Sequence, residues 1–120
     1  MKRILVVDDD KDILQVVQIA LELQGYDIKS SWKGEDTFKN VESFSPDVIL
    51  LDVNLGSTNG MTICSKLKAD EKTQKIPVIM FSAHSNKTMV ASQCSADGFI
   101  GKPFDIFDLG DVIQSQLPTS

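Results

Sequence analysis

The chain is poor in the features that build disulfide frameworks, membrane spans and nucleic-acid surfaces. It holds two cysteines, Cys64 and Cys94, in 120 residues. Two thiols so far apart in sequence do not make a disulfide framework and read as free thiols on or under helices. No apolar run comes near the roughly 18 residues that a membrane span needs. Met1-Lys2-Arg3 carries two positive side chains, but only Ile4 to Val7 follow before three aspartates. That run is too short for the apolar region of a signal peptide, so a cytoplasmic protein is expected. Basic residues are outnumbered, 12 Lys and Arg against 17 Asp and Glu, which leaves a net charge of −5. A nucleic-acid surface needs clustered Lys and Arg, so direct nucleic-acid binding is not expected. Internal repeats, low-complexity stretches and linkers are also missing. The length suits one compact domain over residues 1–120 with a single core.

Apolar, β-prone runs alternate with longer segments of helical period, which is the pattern of βα units and a parallel sheet. A first strand is expected near Arg3 to Val7, apolar at each position from Ile4 and so buried on both faces. Asp10 is placed to cap the next helix, with Ile13, Val17, Ala20, Leu21 and Gln24 at helical spacing and Gly25 closing it. A weaker strand is expected near Asp27 to Ser31, then a helix over Gly34 to Val41 with Phe38 and Val41 inward. Ser45-Pro46 turns the chain into a strand at Val48 to Leu51, and Gly56 to Gly60 reads as loop. Met61 to Ala69 reads as a helix with Ile63 and Leu67 on one face. Pro77 opens a fourth strand, where its missing N–H costs least. A short helix is expected over Asn86 to Cys94, a fifth strand near Gly98 to Ile100, and a last helix over Phe104 to Leu117 with Phe107, Val112 and Ile113 apolar. Five strands and five helices make a single doubly wound α/β domain with the flavodoxin-like strand order 2-1-3-4-5.

Four of these strands end in residues that carry chemistry: Asp8-Asp9, Asp52, Ser82 and Lys102. In a parallel sheet the carboxyl ends of the strands share one edge, and ligands bind in the crevice there. Three carboxylates around one crevice repel each other unless something positive lies between them, and oxygen ligands of this hardness suit Mg²⁺ or Mn²⁺. On the bland reading, Asp9 and Asp10 cap a helix and Asp52 ends a strand. Acidic residues at two strand ends together favour the metal. Asp52 is also a candidate nucleophile, because a carboxylate can take up a phosphoryl group as an acyl phosphate. Metal charge neutralisation would let it approach an anionic donor. Lys102 would supply a second positive charge, and Ser82 a hydrogen bond, to the phosphoryl oxygens.

In this order and spacing the residues resemble the receiver domain of two-component response regulators, from Ile4 to about Leu117. The likeness rests on Asp8-Asp9, on Asp52 with Gly60 in the loop beyond it, on Ser82 followed by Ala83, on Lys102-Pro103-Phe104, and on Phe99 three positions before the lysine. It implies that a sensor histidine kinase or a histidine phosphotransfer protein donates a phosphoryl group to Asp52 in a Mg²⁺-dependent step. The modification would switch binding to a downstream protein. The resemblance further implies Asp9 and Asp52 as direct metal ligands with the backbone carbonyl of Asn54, and Asp8 acting mainly through a water. It puts Lys102 and Ser82 on the phosphoryl oxygens and makes the Lys102–Pro103 peptide cis. Ser82 and Phe99 would form the switch. Asn54 and His84, the only histidine, would govern how fast water reaches the phosphoryl site, rather than His84 acting as phosphodonor or metal ligand. Such a domain carries self-phosphorylation and self-dephosphorylation chemistry without being a turnover enzyme.

The chain departs from the family pattern at Gly56, where proline is usual, at Gly101, where a larger residue is common, and between Ser82 and Lys102, which is slightly short. None of these removes a residue required for phosphorylation. Two other readings stand beside this one: a phosphorylation-independent binding module, and a phosphohydrolase with an aspartyl nucleophile. The module would usually have lost an acidic residue or the lysine. The hydrolase would want an acid–base aspartate two residues after the nucleophile, where Asn54 stands.

Overall fold

A computed structural model describes residues 2–55, 58–82, 94–101 and 104–117, with the backbone alone at Ser82 and Ile106. Five strands, β1 (Arg3–Val7), β2 (Asp27–Ser31), β3 (Val48–Asp52), β4 (Val78–Ser82) and β5 (Gly98–Gly101), form one sheet in the order β2-β1-β3-β4-β5. Every neighbouring pair is parallel. This is the doubly wound order expected of the sequence. The chain winds out from β1 to β2, then returns across β1 to β3 and onward. That reversal leaves a crevice outside the carboxyl ends of β1 and β3.

Helices cover both faces of the sheet, which is why the central strands β1, β3 and β4 read as apolar runs. Helices α1 (Lys11–Leu23) and α4 (Ile106–Gln116) pack Leu14, Val17, Leu21, Leu109 and Ile113 against Ile4, Val6, Leu50, Ile79 and Phe81. Helices α2 (Thr37–Phe44) and α3 (Gly60–Ala69) pack Val41, Ile63, Cys64 and Leu67 against Leu5, Val7, Ile49, Leu51 and Met80. Each such side chain contributes about 1.5–3 kcal/mol when fully buried. Asp10 caps α1 as expected, its carboxylate accepting the N–H groups of Asp12 at 3.0 Å and Ile13 at 3.3 Å. Gly25 follows α1 at φ 95, a left-handed conformation that suits a residue without Cβ.

Three helices differ from the sequence reading in where they start or in which residues face inward. In α1 the buried stripe is Leu14, Val17, Ala20 and Leu21, so Val17, Ala20 and Leu21 lie as expected, while Ile13 is half-buried and Gln24 exposed. The second helix opens with a 3₁₀ turn over Gly34–Asp36 before α2 begins at Thr37. The tighter winding rotates the helix relative to a continuous α frame, so Thr37 and Val41 point inward and Phe38 is 39% exposed. The last helix begins at Ile106 rather than Phe104, so Leu109 and Ile113 are its inward pair and Phe107 faces out. The helix expected over Asn86 to Cys94 lies outside the described residues apart from Cys94.

At the amino edge of the sheet, Lys68 of α3 donates to the carbonyls of Ile76 at 2.9 Å and Gln74 at 3.2 Å and pairs with Asp97. Asp97 also accepts the N–H of Val78 at 2.9 Å. One lysine thus joins α3 to the entries of both β4 and β5. Among the described residues, no helix is long and apolar enough to cross a membrane.

Candidate functional site

The acidic residues reach the crevice by continuing the strands that precede them. The N–H of Asp8 donates to the Ser31 carbonyl at 3.1 Å, one step beyond the β1–β2 ladder. Its carboxylate is fully buried, and one oxygen accepts the N–H of Asp10 at 2.9 Å. Asp52, 5% exposed, is the last residue of β3 and lies in register with Phe81 of β4. Asp9 is exposed at the rim. One carboxylate oxygen from each of Asp8, Asp9 and Asp52 lies within 4.8 Å of the other two.

Two unit charges at that separation repel by roughly 3 kcal/mol at an effective dielectric constant of about 20. Three together call for a cation. The donors are hard anionic oxygens, two buried and one open to solvent, and Mg²⁺ uses one or two carboxylates while keeping several waters. The set therefore fits a divalent metal ion of that kind, and Asp8, Asp9 and Asp52 could hold one.

The loop beyond Asp52 is more ordered than its composition suggested. Asn54–Leu55 pairs antiparallel with Thr58–Asn59, and Leu55 is buried in the core. Residues 56 and 57, including the departure at Gly56, lie outside the described residues. Asn59 caps α3, its side chain accepting the Met61 N–H at 2.9 Å. The N–H of Gly60 donates to the Val53 carbonyl at 2.7 Å. A Cβ on Gly60 would overlap the carbonyl oxygen of Asp52 and lie 3.1 Å from the Cα of Val53. Glycine lets the first turn of α3 sit directly against the end of β3, which holds Asp52 in place from behind. The sequence marked Gly60 as a loop glycine; the close approach that demands it is visible only in three dimensions. Asn54 starts the loop and is exposed.

Ser82 ends β4 in register with Gly101 of β5, and its side chain lies outside the described residues. Phe99 pairs in register with Met80 and packs, half-buried, on the core cluster under α3. Lys102, Pro103 and the peptide between them, and His84, lie outside the described residues. The described part of the site is thus the acidic trio with Asn54 beside it, and the strand ends of Ser82 and Gly101 further along the same edge.

Two features were not read from the sequence. Trp32, the only tryptophan, stands half-exposed one residue beyond β2, with the ammonium groups of Lys11 and Lys33 at 4.5 and 4.6 Å from its ring centre. A basic, aromatic patch thus stands just past the carboxyl end of β2. Val16, Ile19, Leu23 and Phe107 are 51, 53, 84 and 80% exposed and line an apolar groove of about 400 Å³ between α1 and α4. The sequence marked Phe107 only as an apolar residue of the last helix; in the fold it faces outward.

Comparison with known proteins agrees with this geometry. A family model described as response regulator receiver domain matches residues 4–114. The chain is 36% identical over 111 residues to the DNA-binding dual master transcriptional regulator RpaA of Synechocystis, covering 91% of this chain and 46% of that protein. It is 34% identical over 105 residues to the alkaline phosphatase synthesis transcriptional regulatory protein PhoP of Bacillus subtilis, covering 86% of this chain and 43% of that one. The chain spans less than half the length of these curated relatives. Chemotaxis protein CheY4 of Vibrio cholerae superposes with a TM-score of 0.89 at 25% identity, over 98% of this chain and 99% of that one. Response regulator TrrA of Thermotoga maritima, solved in complex with Mg(2+)-BeF, superposes with a TM-score of 0.87 at 27% identity, over 98% and 100% of the two chains.

Proposed function

Because the chain belongs to the response regulator receiver family, and is a phosphoacceptor domain of two-component signalling, we propose that Asp52 is the residue phosphorylated. The donor is a phosphohistidine on a sensor kinase or a phosphotransfer protein. Mg²⁺, held by Asp8, Asp9 and Asp52 with the backbone carbonyl of Asn54, is required. The observation that carries the reading is the convergence of three carboxylates within 4.8 Å at the carboxyl edge of the sheet.

When bound, the metal ion supplies the positive charge that lets an anionic nucleophile meet an anionic phosphoryl group. A carboxylate oxygen of Asp52 attacks phosphorus, a P–O bond forms as the P–N bond breaks, and the departing imidazole nitrogen takes up a proton. Asp8 is turned toward the crevice by the Asp10 N–H on one of its oxygens. Lys102 and Ser82 hold the phosphoryl oxygens. Ser82 and Phe99 carry the switch, with the Phe99 ring packing inward as Ser82 is drawn to the new group. Moving such an equilibrium from mostly inactive to mostly active takes roughly 5 kcal/mol, of which the new charge-assisted contacts supply part. Asn54 and His84 set the access of water and so the lifetime of the acyl phosphate. The protein chemistry is limited to gaining and losing this group.

The phosphodonor docks over the apolar groove of Val16, Ile19, Leu23 and Phe107. Helix α1 starts two residues after Asp9 and α4 starts just past the end of β5, so the groove descends from the edge that carries Asp52. An apolar groove between two helices accepts the apolar face of a partner helix. This assignment places the domain in the cytoplasm, with its signal passed on to a downstream protein partner.

Incubation with acetyl phosphate and Mg²⁺, read by intact mass, tests the reading. One added phosphoryl group is expected, absent with a chelator and absent in Asp52→Asn. Mg²⁺ alone should shift the fluorescence of Trp32, which sits beside the crevice, and Asp9→Asn should weaken that titration. An adduct that persists in Asp52→Asn, or no adduct from either acetyl phosphate or a phosphohistidine donor, overturns the assignment.

A further inference from the structure

The two cysteines of this chain meet in the core. Cys64 of α3 is fully buried and Cys94 is 2% exposed. The Cys64 thiol donates to the carbonyl oxygen of Cys94 at 3.2 Å. The Cys64 sulfur therefore lies directly against the backbone of Cys94. Ser95, the next residue, stands at φ 57. A left-handed conformation is costly for a residue with Cβ, so the chain turns sharply just past Cys94.

We propose that Cys64 and Cys94 form a modification site, a buried dithiol that a hydroperoxide or a small-molecule disulfide oxidises to an intramolecular disulfide joining α3 to the entry of β5. With hydrogen peroxide, one thiolate attacks a peroxide oxygen, the O–O bond breaks, the departing hydroxide takes up a proton and leaves as water, and a sulfenic acid forms (an organic hydroperoxide releases an alcohol instead). The second thiol then attacks that sulfur, the S–O bond breaks, the S–S bond closes, and a second water leaves. Two electrons pass from the thiols to the peroxide, so the atoms balance. With a small-molecule disulfide, one thiolate displaces a thiolate from it to form a mixed disulfide, and the second thiol displaces the other as the S–S bond closes.

The environment sets the rate. Burial, with the neighbouring Cys94 thiol, pushes the Cys64 thiol well above its ordinary range. The thiolate is the reactive form, so the resting pair oxidises slowly and only through a local opening. Once closed, the bond is shielded from reductant by the same burial. Its position gives it a consequence. Both cysteines belong to the core cluster against which Phe99 and Ala96 pack, so the bond would tether the chain that leads into the strand carrying Phe99.

Treatment of the native protein with hydrogen peroxide, and separately with glutathione disulfide, tests this by alkylation, intact mass and peptide mapping. The expected result is loss of two hydrogens, a linked Cys64–Cys94 peptide, reversal by dithiothreitol once the chain is unfolded in urea, and a higher melting temperature. Cys64→Ala and Cys94→Ala, tested as separate proteins, should each abolish the link. Asp52→Asn should leave it intact, because the site does not depend on the phosphoacceptor assignment. The proposal is overturned if native protein keeps two alkylatable thiols under conditions that oxidise the urea-unfolded chain. It is equally overturned if oxidation stops at an oxygenated single sulfur or a chain-to-chain dimer.

Discussion

Gly60→Ala should loosen the site from behind. The new Cβ would overlap the Asp52 carbonyl oxygen and lie 3.1 Å from the Val53 Cα. Both obstacles are backbone, so no flexible side chain can give way. Either the first turn of α3 backs off and loses its 2.7 Å bond from the Gly60 N–H to the Val53 carbonyl, or the strain stays in place. Overpacking of this kind costs about 1–3 kcal/mol, and a lost hydrogen bond adds about 1 kcal/mol. The reduced freedom of alanine in the unfolded chain returns up to about 1 kcal/mol. A net loss of about 1–3 kcal/mol is expected, against a total of about 5–15 kcal/mol for a domain. At about 4 °C per kcal/mol for a domain of this size, the melting temperature should fall by roughly 4–12 °C. Because the displaced atoms belong to Asp52 and Val53, the rate of Mg²⁺-dependent phosphorylation should also drop at temperatures where the variant remains folded. Gly98→Ala is the control: its Cβ would lie 3.4 Å from Ile79 Cγ1, an ordinary contact, and should leave both readouts nearly unchanged. Thermal unfolding by circular dichroism and intact-mass phosphorylation time courses supply the measurements. A Gly60→Ala protein that melts within about 1 °C of the parent and phosphorylates at the parental rate would refute the close-approach argument.

Three further outcomes are expected. Ile19→Asp and Phe107→Ala alter exposed residues, so stability should move by no more than about 0.5 kcal/mol, while transfer from a phosphohistidine donor falls tenfold or more and acetyl phosphate still works at the parental rate. Equal loss with both donors would dismiss the groove as a docking face. Lys68→Met removes two carbonyl contacts and a partner of Asp97, at sites 13% and 36% exposed, and should cost about 2–3 kcal/mol; the urea midpoint should fall without a change in slope, and an unchanged midpoint would contradict the network. The Cys64 thiol is raised in the folded protein and not in the unfolded chain, so its contribution to stability is complete below its ordinary value near 9 and is lost as pH rises above that. Stability should decline above about pH 9 more steeply in the parent than in Cys64→Ala, and parallel curves would count against the burial argument.

The strands were legible because two-sided burial forces apolar runs with no polar interruption, as at Val48 to Leu51, and α1 because Asp10 and Gly25 mark its ends with specific backbone chemistry. Helix faces were harder to read. A 3₁₀ turn ahead of α2 rotated Phe38 outward, and the last helix begins at Ile106 rather than Phe104. A shift of one residue turns a helix by about 100°, and short segments carry too few apolar positions to fix the phase.

Of the site, the sequence alone determined the cast: acidic residues directly after two buried strands, a hydroxyl after a third, and a lysine after a fourth. It could do so because residue type and strand boundary are local properties. That Asp8 and Asp52 share one crevice was decided by strand order, since only the return of the chain across β1 makes β1 and β3 neighbours. The demand for glycine at position 60, the apolar groove between α1 and α4, and the meeting of Cys64 with Cys94 were likewise decided by packing. Each depends on the distance between segments remote in sequence, and such distances have no local signature.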